Sequence, residues 1–577
     1  ALRLLEIRYS SMVNCIYTDP PYNTNASEIL YKNGYKHSCW ISLMSERTLV
    51  ASGLLAHDGV AQFAIDDLEI SRLEGLLNEI FGEENKISNI AIYTNPKGRD
   101  QGFIAQAHDY AIVYAKDKRV AKTYSFKLSA EEVQRKFSKS GASGEAMREL
   151  PLKRTGSEKY RTDRPPMYFP FVVDNETGEL NVVLQDEYDK IYDSSSNSFD
   201  DEYVNTLKEK YAIEGKSIVL PLSESGEFLR WRWGYRSCVE GVNTGVLVAR
   251  KVKGGGYAVY QRDVADENVK PKSFWFGERY DASSKGTNIL NAIIPANPFN
   301  YPKSLYTVVD NLTIGMSGDG FVLDYFAGSG TTAHATIALN REDGGHRKYI
   351  LIEMGDHFDT VLKPRIEKVV YSPDWKDGKP TAANKGISHC FKYMTLESYE
   401  DALNNIELED KSAGLLEGMK DEYLLTYMLD LESRGSLIKT DDFRHPFDYT
   451  LKIAVDSSGA SEKRKVDLVE TFNYLIGLKV DQYVRAEEKG YAYVDGRNPK
   501  GERVLVFWRD TEKIPNAELN KELEKLGVNP ANKEFDLVYV NGDHGVANVT
   551  LDGKDEVKVL KIKQLENEFL DKMFEER

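Results

Sequence analysis

The hydrophobic and polar positions of the chain alternate between two periods. Val13 to Tyr17 is a short apolar run, the length of a buried strand. It runs into Thr18-Asp19-Pro20-Pro21-Tyr22-Asn23-Thr24, whose two prolines stop a central strand and demand a rigid loop. Cys39 to Leu55 places Trp40, Leu43, Met44, Val50, Leu54 and Leu55 at helical spacing. Asp58-Gly59 then turns the chain into a strand over Val60–Ile65. Asp66 and Glu69 match a capping box for a helix carrying Leu68, Ile70, Leu73, Leu76, Leu77, Ile80 and Phe81. Asn89 to Thr94 and Tyr110 to Ala115 read as further strands. Strand and helix in alternation predict an α/β fold with a mostly parallel sheet.

The rhythm stops near Lys116. Residues 117–165 are polar, basic and poor in clear strands, and Asp193 to Asp201 reads as a mobile loop. The rhythm returns at Phe321–Tyr325, a strand, followed by a helix from Ala333 to Asn340 and a strand over Lys348–Ile352. Residues 386–577 mix helices (Ala413 to Leu431, Lys563 to Phe574) with hairpin-like strands from Tyr491 to Trp508, turning at Asp495-Gly496 and Pro499-Lys500-Gly501. At 577 residues two to four cores are expected.

No apolar run approaches the roughly 20 residues of a membrane-spanning helix. The four cysteines, Cys15, Cys39, Cys238 and Cys390, form no C-x-x-C pair, so neither a zinc knot nor a disulfide framework is suggested and a reducing compartment fits. The chain opens at Ala1, and Ala1 to Leu5 reads as the tail of a helix, so a preceding segment is expected. A net charge of −16 argues against a non-specific nucleic-acid coat, but the charge is uneven. Lys116 to Arg164 holds 14 Lys/Arg against 7 Asp/Glu, and Arg230 to Lys285 holds 11 against 6. In the second stretch aromatic and basic residues interleave: Arg230-Trp231-Arg232-Trp233, then Lys272-Ser273-Phe274-Trp275. Base stacking and phosphate contacts use these residue types, although an ordinary hydrophobic strand with solvated charges has the same composition.

Two stretches carry chemistry. The Asp19 loop offers a carboxylate, the Pro20 carbonyl and the Tyr22 ring. An exocyclic amine on a planar base needs two acceptors and a stacking face, and a Pro-rich turn with a solvated Asp is the plain alternative. The second stretch is Asp324-Tyr325-Phe326-Ala327-Gly328-Ser329-Gly330-Thr331-Thr332, between a strand and a helix. Its glycines would let the backbone approach a ligand, or simply make a tight turn. Glu353 closes the next strand about 20 residues on, where an acid would hold two ribose hydroxyls. No third glycine completes a dinucleotide fingerprint. Gly215-Lys216-Ser217 has Lys210 where a Walker loop needs glycine.

Together, D-P-P-Y followed much later by F-A-G-S-G-T-T resembles the amino-methyltransferases of DNA, in the permuted beta order. His108-Asp109-Tyr110, Gly286-Thr287-Asn288 and Pro298 to Ser304 extend the likeness. With Leu396 to Ala402 and the Arg-Trp-Arg-Trp segment, it is similar to the modification subunits of Type III restriction–modification systems. The resemblance implies a Rossmann-like methyltransferase sheet divided as follows: residues 1–116 as catalytic half, 117–285 as target-recognition domain, 286–385 as cofactor half and 386–577 as an α+β domain for dimerisation and partner docking. It implies S-adenosylmethionine as cofactor and no metal. The substrate would be adenine N6 in double-stranded DNA, with cytosine N4, RNA or an idle recognition subunit as alternatives. It assigns catalysis to Asp19, Pro20, Pro21 and Tyr22. Cofactor binding falls to Asp324, Phe326, Ala327, Gly328, Ser329, Gly330, Thr331 and Glu353, with Lys303 and Ser304 near the amino-acid end. DNA contacts fall to Arg230, Trp231, Arg232, Trp233, Lys272 and Trp275. A cytoplasmic homodimer that docks a helicase–nuclease subunit completes the expectation. His108 reads as structural.

Overall fold

A computed structural model describes the chain except residues 24–35, 99–102, 129, 141–145, 267, 297–298, 383–384, 407–437, 456–459, 529–533, 547–548, 552–556 and 574–577. The expected helix from Ala413 to Leu431 lies outside the described residues, as does Thr24. The chain divides into two compact units, one made of Ala1–Tyr124 with Lys272–Arg577 and the other of Ser125–Pro271.

The first unit opens with α1 (Leu2–Tyr9), β1 (Val13–Thr18), α2 (Lys36–Leu54), β2 (Leu55–Ile65), α3 (Ile70–Phe81), β3 (Lys86–Ile92) and β4 (Asp109–Ala115). After the second unit come β5 (Phe274–Trp275), α4 (Leu305–Gly315), β6 (Asp319–Asp324), α5 (Thr331–Asp343), β7 (His346–Leu351) and α6 (Lys363–Tyr371). These seven strands form one sheet in the order β5-β3-β4-β2-β1-β6-β7. Only β4 runs against the others. Helices cover both faces, so the central strands are apolar on both sides. On one face Val13, Ile16, Phe63 and Leu323 pack with Trp40, Met44, Leu73 and Leu77. On the other, Cys15, Tyr17 and Val322 pack with Val308, Leu312 and Ala335.

This topology gathers acids at one edge. The registers Thr18↔Phe63, Ile65↔Tyr110, Ile92↔Asp109 and Asp324↔Leu351 place the carboxyl ends of the parallel strands and the start of β4 together. Asp19, Asp66, Asp109, Asp324 and Glu353 therefore all stand at that edge.

The same unit contains a second sheet. Its elements are α7 (Leu468–Leu475), β8 (Lys479–Ala486), β9 (Tyr491–Arg497), β10 (Arg503–Arg509), α8 (Asn516–Lys525), β11 (Leu537–Val540), β12 (Lys561–Gln564) and α9 (Leu565–Met573). The strands lie in the order β8-β9-β10-β11-β12. The expected turn at Asp495-Gly496 is instead part of β9, where Gly496 pairs with both Val480 and Val504. Its missing side chain matters, because a Cβ there would collide with the Lys479 carbonyl. The other expected turn, at Pro499-Lys500-Gly501, forms within Asn498–Glu502.

In the second unit a four-stranded antiparallel sheet contains Ala146–Pro151, in the stretch that looked poor in strands, paired to Tyr257–Val264. Its partner lies over a hundred residues away, which a local pattern cannot show. The expected loop at 193–201 is a hairpin: Tyr192–Asp193 pairs with Ser198–Phe199, and Asp193 accepts from the Ser195 amide at 2.8 Å. The Asp and Ser side chains that suggested mobility satisfy the turn's own donors. Among the described residues no helix is long and apolar enough to cross a membrane.

Candidate active site

The loop after β1 is held from behind. Trp40, fully buried on α2, donates through its ring nitrogen to the Pro21 carbonyl at 2.7 Å. Pro20 is buried and Tyr22 half-buried. Asn23 adopts a left-handed φ of 59°, which Asn tolerates better than most residues. The loop cannot swing freely, and Asp19 is presented at the edge with its side chain 26% exposed.

Lys303 converges on it. Its ammonium lies 3.4 Å from Asp19 Oδ1, 3.2 Å from Asp109 Oδ2 and 4.2 Å from the centre of the Tyr22 ring, and it donates to the Tyr22 hydroxyl. One cation thus sits between two carboxylates from different strands. Burial pushes the Asp19 carboxyl above its ordinary range, Lys303 opposes this, and Asp109 adds to it. Lys303 is carried by a tightly built segment. A Cβ on Gly286 would run into the Pro302 and Lys303 carbonyls, and Ser304, buried, donates to the Arg279 carbonyl at 3.0 Å. The Arg279 guanidinium is fixed in turn by Asp310 at 2.6 and 3.0 Å. Lys303 and Ser304 were expected beside the cofactor; the structure places the Lys303 ammonium on Asp19, Asp109 and Tyr22.

The loop after β6 lies on the neighbouring strand. Gly328 and Gly330 have φ of 53° and 79°, the left-handed values that favour glycine. A Cβ at Gly328 would come within 3.2 Å of the Phe299 ring, and one at Gly330 within 3.1 Å of Leu362. Asp324 binds the loop from below, accepting from the Phe326 amide at 3.1 Å and the Thr332 hydroxyl at 2.5 Å. Its burial raises its carboxyl to about 7. Glu353 reaches across from the end of β7. It accepts from the Gly328 amide at 2.7 Å and from the Met354 and Gly355 amides at 2.9 Å each. The carboxylate and the glycine turn, 25 positions apart, therefore share one small space.

Four residues that the sequence pattern did not single out complete the site. Arg365 on α6 is wholly buried and donates to the Ser329 carbonyl, the Ser329 hydroxyl and the Thr331 hydroxyl at 3.2, 2.9 and 2.9 Å. Among the described residues no carboxylate pairs with it, and burial alone lowers its guanidinium to about 9. Its apolar helix spacing was the available signal. Asp109 was visible only within the H-D-Y strand. Asn23 and Glu69 meet through a side-chain hydrogen bond. The capping box does not form: α3 starts at Ile70 with Glu69 as its cap residue, and the Glu69 carboxylate turns to the Asp19 loop instead. Asp66 accepts from the Leu68 amide at 3.0 Å.

Several expected DNA contacts require correction. Trp231 is buried in the core of the second unit, donates to the Phe169 carbonyl at 2.7 Å and packs edge-on against Phe171. Arg230 is also buried and donates to the Glu158 carbonyl at 2.5 Å. Trp275 is buried against Tyr280 and donates to the Lys272 carbonyl at 2.8 Å. These three hold structure rather than present a surface. Trp233 is half-buried, while Arg232 and Lys272 are exposed.

Comparison with known proteins agrees with this geometry. A family model described as DNA methylase matches residues 13–363. The chain is 31% identical over 380 residues to the Type III restriction-modification enzyme EcoPI Mod subunit of Escherichia phage P1, covering 60% of this chain and 54% of that one. It is 30% identical over 352 residues to the Type II methyltransferase M.KpnI of Klebsiella pneumoniae, covering 59% and 75%. The EcoP15I Mod subunit of Escherichia coli is 26% identical over 396 residues, covering 60% and 56%. The chain spans about half the length of these Mod subunits. The family match runs from β1 to the start of α6 and takes in both loops, so the chain belongs to the N6_N4_Mtase family of DNA methylases.

Proposed function

We propose that this chain transfers a methyl group from S-adenosylmethionine to adenine N6 in double-stranded DNA, as the modification subunit of a restriction–modification system. The observation that carries the reading is the convergence of two loops. Asp19 and Tyr22 follow β1, the Gly328–Glu353 pair belongs to the strands beside it, and both stand at the carboxyl edge, where open α/β sheets bind ligands.

The residues present fit the cofactor. Glu353 would accept from a ribose diol, the left-handed glycines keep the backbone free of side chains, and Phe299 and Phe326 would supply apolar surface. Five acids stand at the edge and the Lys303 ammonium lies against two of them, a balance that favours a ligand carrying positive charge. When bound, S-adenosylmethionine supplies an activated methyl on a cationic sulfur. The chain's own residues would do the rest. The Asp19 carboxylate and Pro20 carbonyl accept the two N–H bonds of the target amine and turn its lone pair out of the ring plane. As positive charge grows on that nitrogen, the fixed carboxylate stabilises it more than the neutral amine. Tyr22 would stack on the base once it leaves the duplex.

The relatives' names support DNA as the substrate and a restriction subunit as a partner. Residues 117–285, which contain the compact unit Ser125–Pro271, would serve target recognition, and residues 386–577 dimerisation and docking. Incubating the protein with tritiated cofactor and unmodified genomic DNA, then digesting to nucleosides, tests the reading. Label in N6-methyladenine that is lost in Asp19→Ala supports it. Label in N4-methylcytosine, or full activity in Asp19→Ala, overturns it.

A further inference from the structure

We propose that Glu69 is a positioning residue for methyl transfer, acting through Asn23 on the Asp19–Tyr22 loop. The inference rests on the reading of that loop as the reacting one.

Asn23 directly follows Tyr22 and is fully buried in a left-handed conformation. A conformation of this kind persists only where the surroundings hold it. The holder is Glu69, also fully buried, 46 positions away at the head of α3. Asn23 donates its amide N–H to Glu69 Oε1, and His37 donates through Nδ1 to the same oxygen. Arg72 donates to Glu69 Oε2 at 3.2 Å. A carboxylate removed from water needs such partners. Three donors converge on this one, and one of them is the side chain that ends the D-P-P-Y turn.

The consequence is geometric. The Pro21 carbonyl is pinned by Trp40, and Asn23 is pinned by Glu69. Tyr22 lies between the two anchors, so the position of its backbone is set by both. Glu69 touches neither Asp19 nor Tyr22 by any hydrogen bond among the described residues, and its direct link to the loop is Asn23. A residue that fixes a reacting loop affects rate more than ground-state binding, because a misplacement of about 1 Å can cost on the order of 10²-fold in rate.

The decisive experiment exchanges donor and acceptor. Asn23→Asp sets two carboxylates against each other. Adding Glu69→Gln to it restores a donor and an acceptor with their positions reversed and almost no change in volume. The variants are compared in single-turnover transfer from tritiated S-adenosylmethionine to unmodified genomic DNA, with cofactor KM and thermal melting measured for each. Asn23→Asp and Glu69→Ala are expected to slow transfer by roughly 10- to 100-fold with cofactor KM nearly unchanged. The double variant is expected to exceed Asn23→Asp by about fivefold or more, as a coupled pair requires. A purely structural role would move melting and KM together and would show no rescue of rate. If the double variant is no faster than Asn23→Asp while Asp19→Ala is inactive, the positioning role is wrong and the catalytic reading stands. Full activity in Asp19→Ala would instead remove the catalytic reading itself.

Discussion

A single ammonium between two carboxylates sets the electrostatics of the reacting edge. Lys303 lies within ion-pair distance of both Asp19 and Asp109, and without it those two would repel each other across a poorly solvated space. In the proposed mechanism Asp19 works as a carboxylate, and burial raises its proton affinity in the folded protein. Activity is therefore lost as pH falls through that raised value, above the usual carboxylate pKa of about 4. Lys303→Met should raise it further, moving the acid limb of kcat/KM to higher pH and leaving the alkaline side in place. A pH–rate profile superimposable on the parent's would show that Lys303 does not govern Asp19. At this scale the sequence disclosed chemistry wherever partners are contiguous. Asp19, Pro20 and Tyr22 stand close together in the sequence, and the role proposed for them follows from what an amine needs. Lys303 gave no such signal, because Asp109 and Asp19 reach it from strands far apart in the chain. Arg230 and Trp231 misled for the complementary reason. Alternation of aromatic and basic residues does not say which of them faces inward, and here both do.

Among elements, the turn after β6 depends on supports that lie outside it. Gly330 has a φ that an L side chain adopts with strain, and a Cβ there would press on Leu362 at 3.1 Å. Gly330→Ala should therefore weaken cofactor binding by about tenfold or more, corresponding to one to two kcal/mol of strain and displacement. Isothermal titration with S-adenosylmethionine would measure it, and an unchanged Kd would mean that the turn does not shape the pocket. Arg365 fixes the same turn through three hydrogen bonds to Ser329 and Thr331. Arg365→Met keeps the volume and removes all three, so both cofactor affinity and melting temperature should fall, by the roughly 1–3 kcal/mol that unpaired buried groups cost. Melting that drops with affinity intact would confine Arg365 to stability. The elements themselves were largely readable, since β1, β2, β4, β6 and β7 each carry an apolar stretch next to Pro, Gly or an acid. Misreadings arose where tertiary packing overrides a local rule. Asp66 and Glu69 spell a capping box, yet Glu69 is drawn to Asn23. Asp495-Gly496 spells a turn, yet the glycine is there because Lys479 approaches it.

The first unit as a whole depends on its first helix. α1 is short and would be marginal alone, yet it lies where two cores meet. Leu4 packs against both the methylase sheet's cluster and the cluster of the second sheet. Arg8 lies 4.9 Å from the ring centre of Tyr474 on α7, and Ile7 occupies the space that a Cβ at Gly477 would need. The two sheets share α1 as a common wall and should unfold together. Leu4→Asp would place a half-buried carboxylate between two apolar clusters and weaken both contacts unless α1 detaches. Detachment is the cheaper outcome, since it exposes one helix and leaves both sheets intact. Differential scanning calorimetry of the full chain should then show one more transition than the parent. Methyl transfer at low temperature should survive, because α1 contributes no side chain to the acidic edge. A Leu4→Asp protein that melts in the same transitions as the parent, shifted by no more than about one degree, would mean that the two sheets are joined by contacts other than α1 and that the helix is a passenger on the fold.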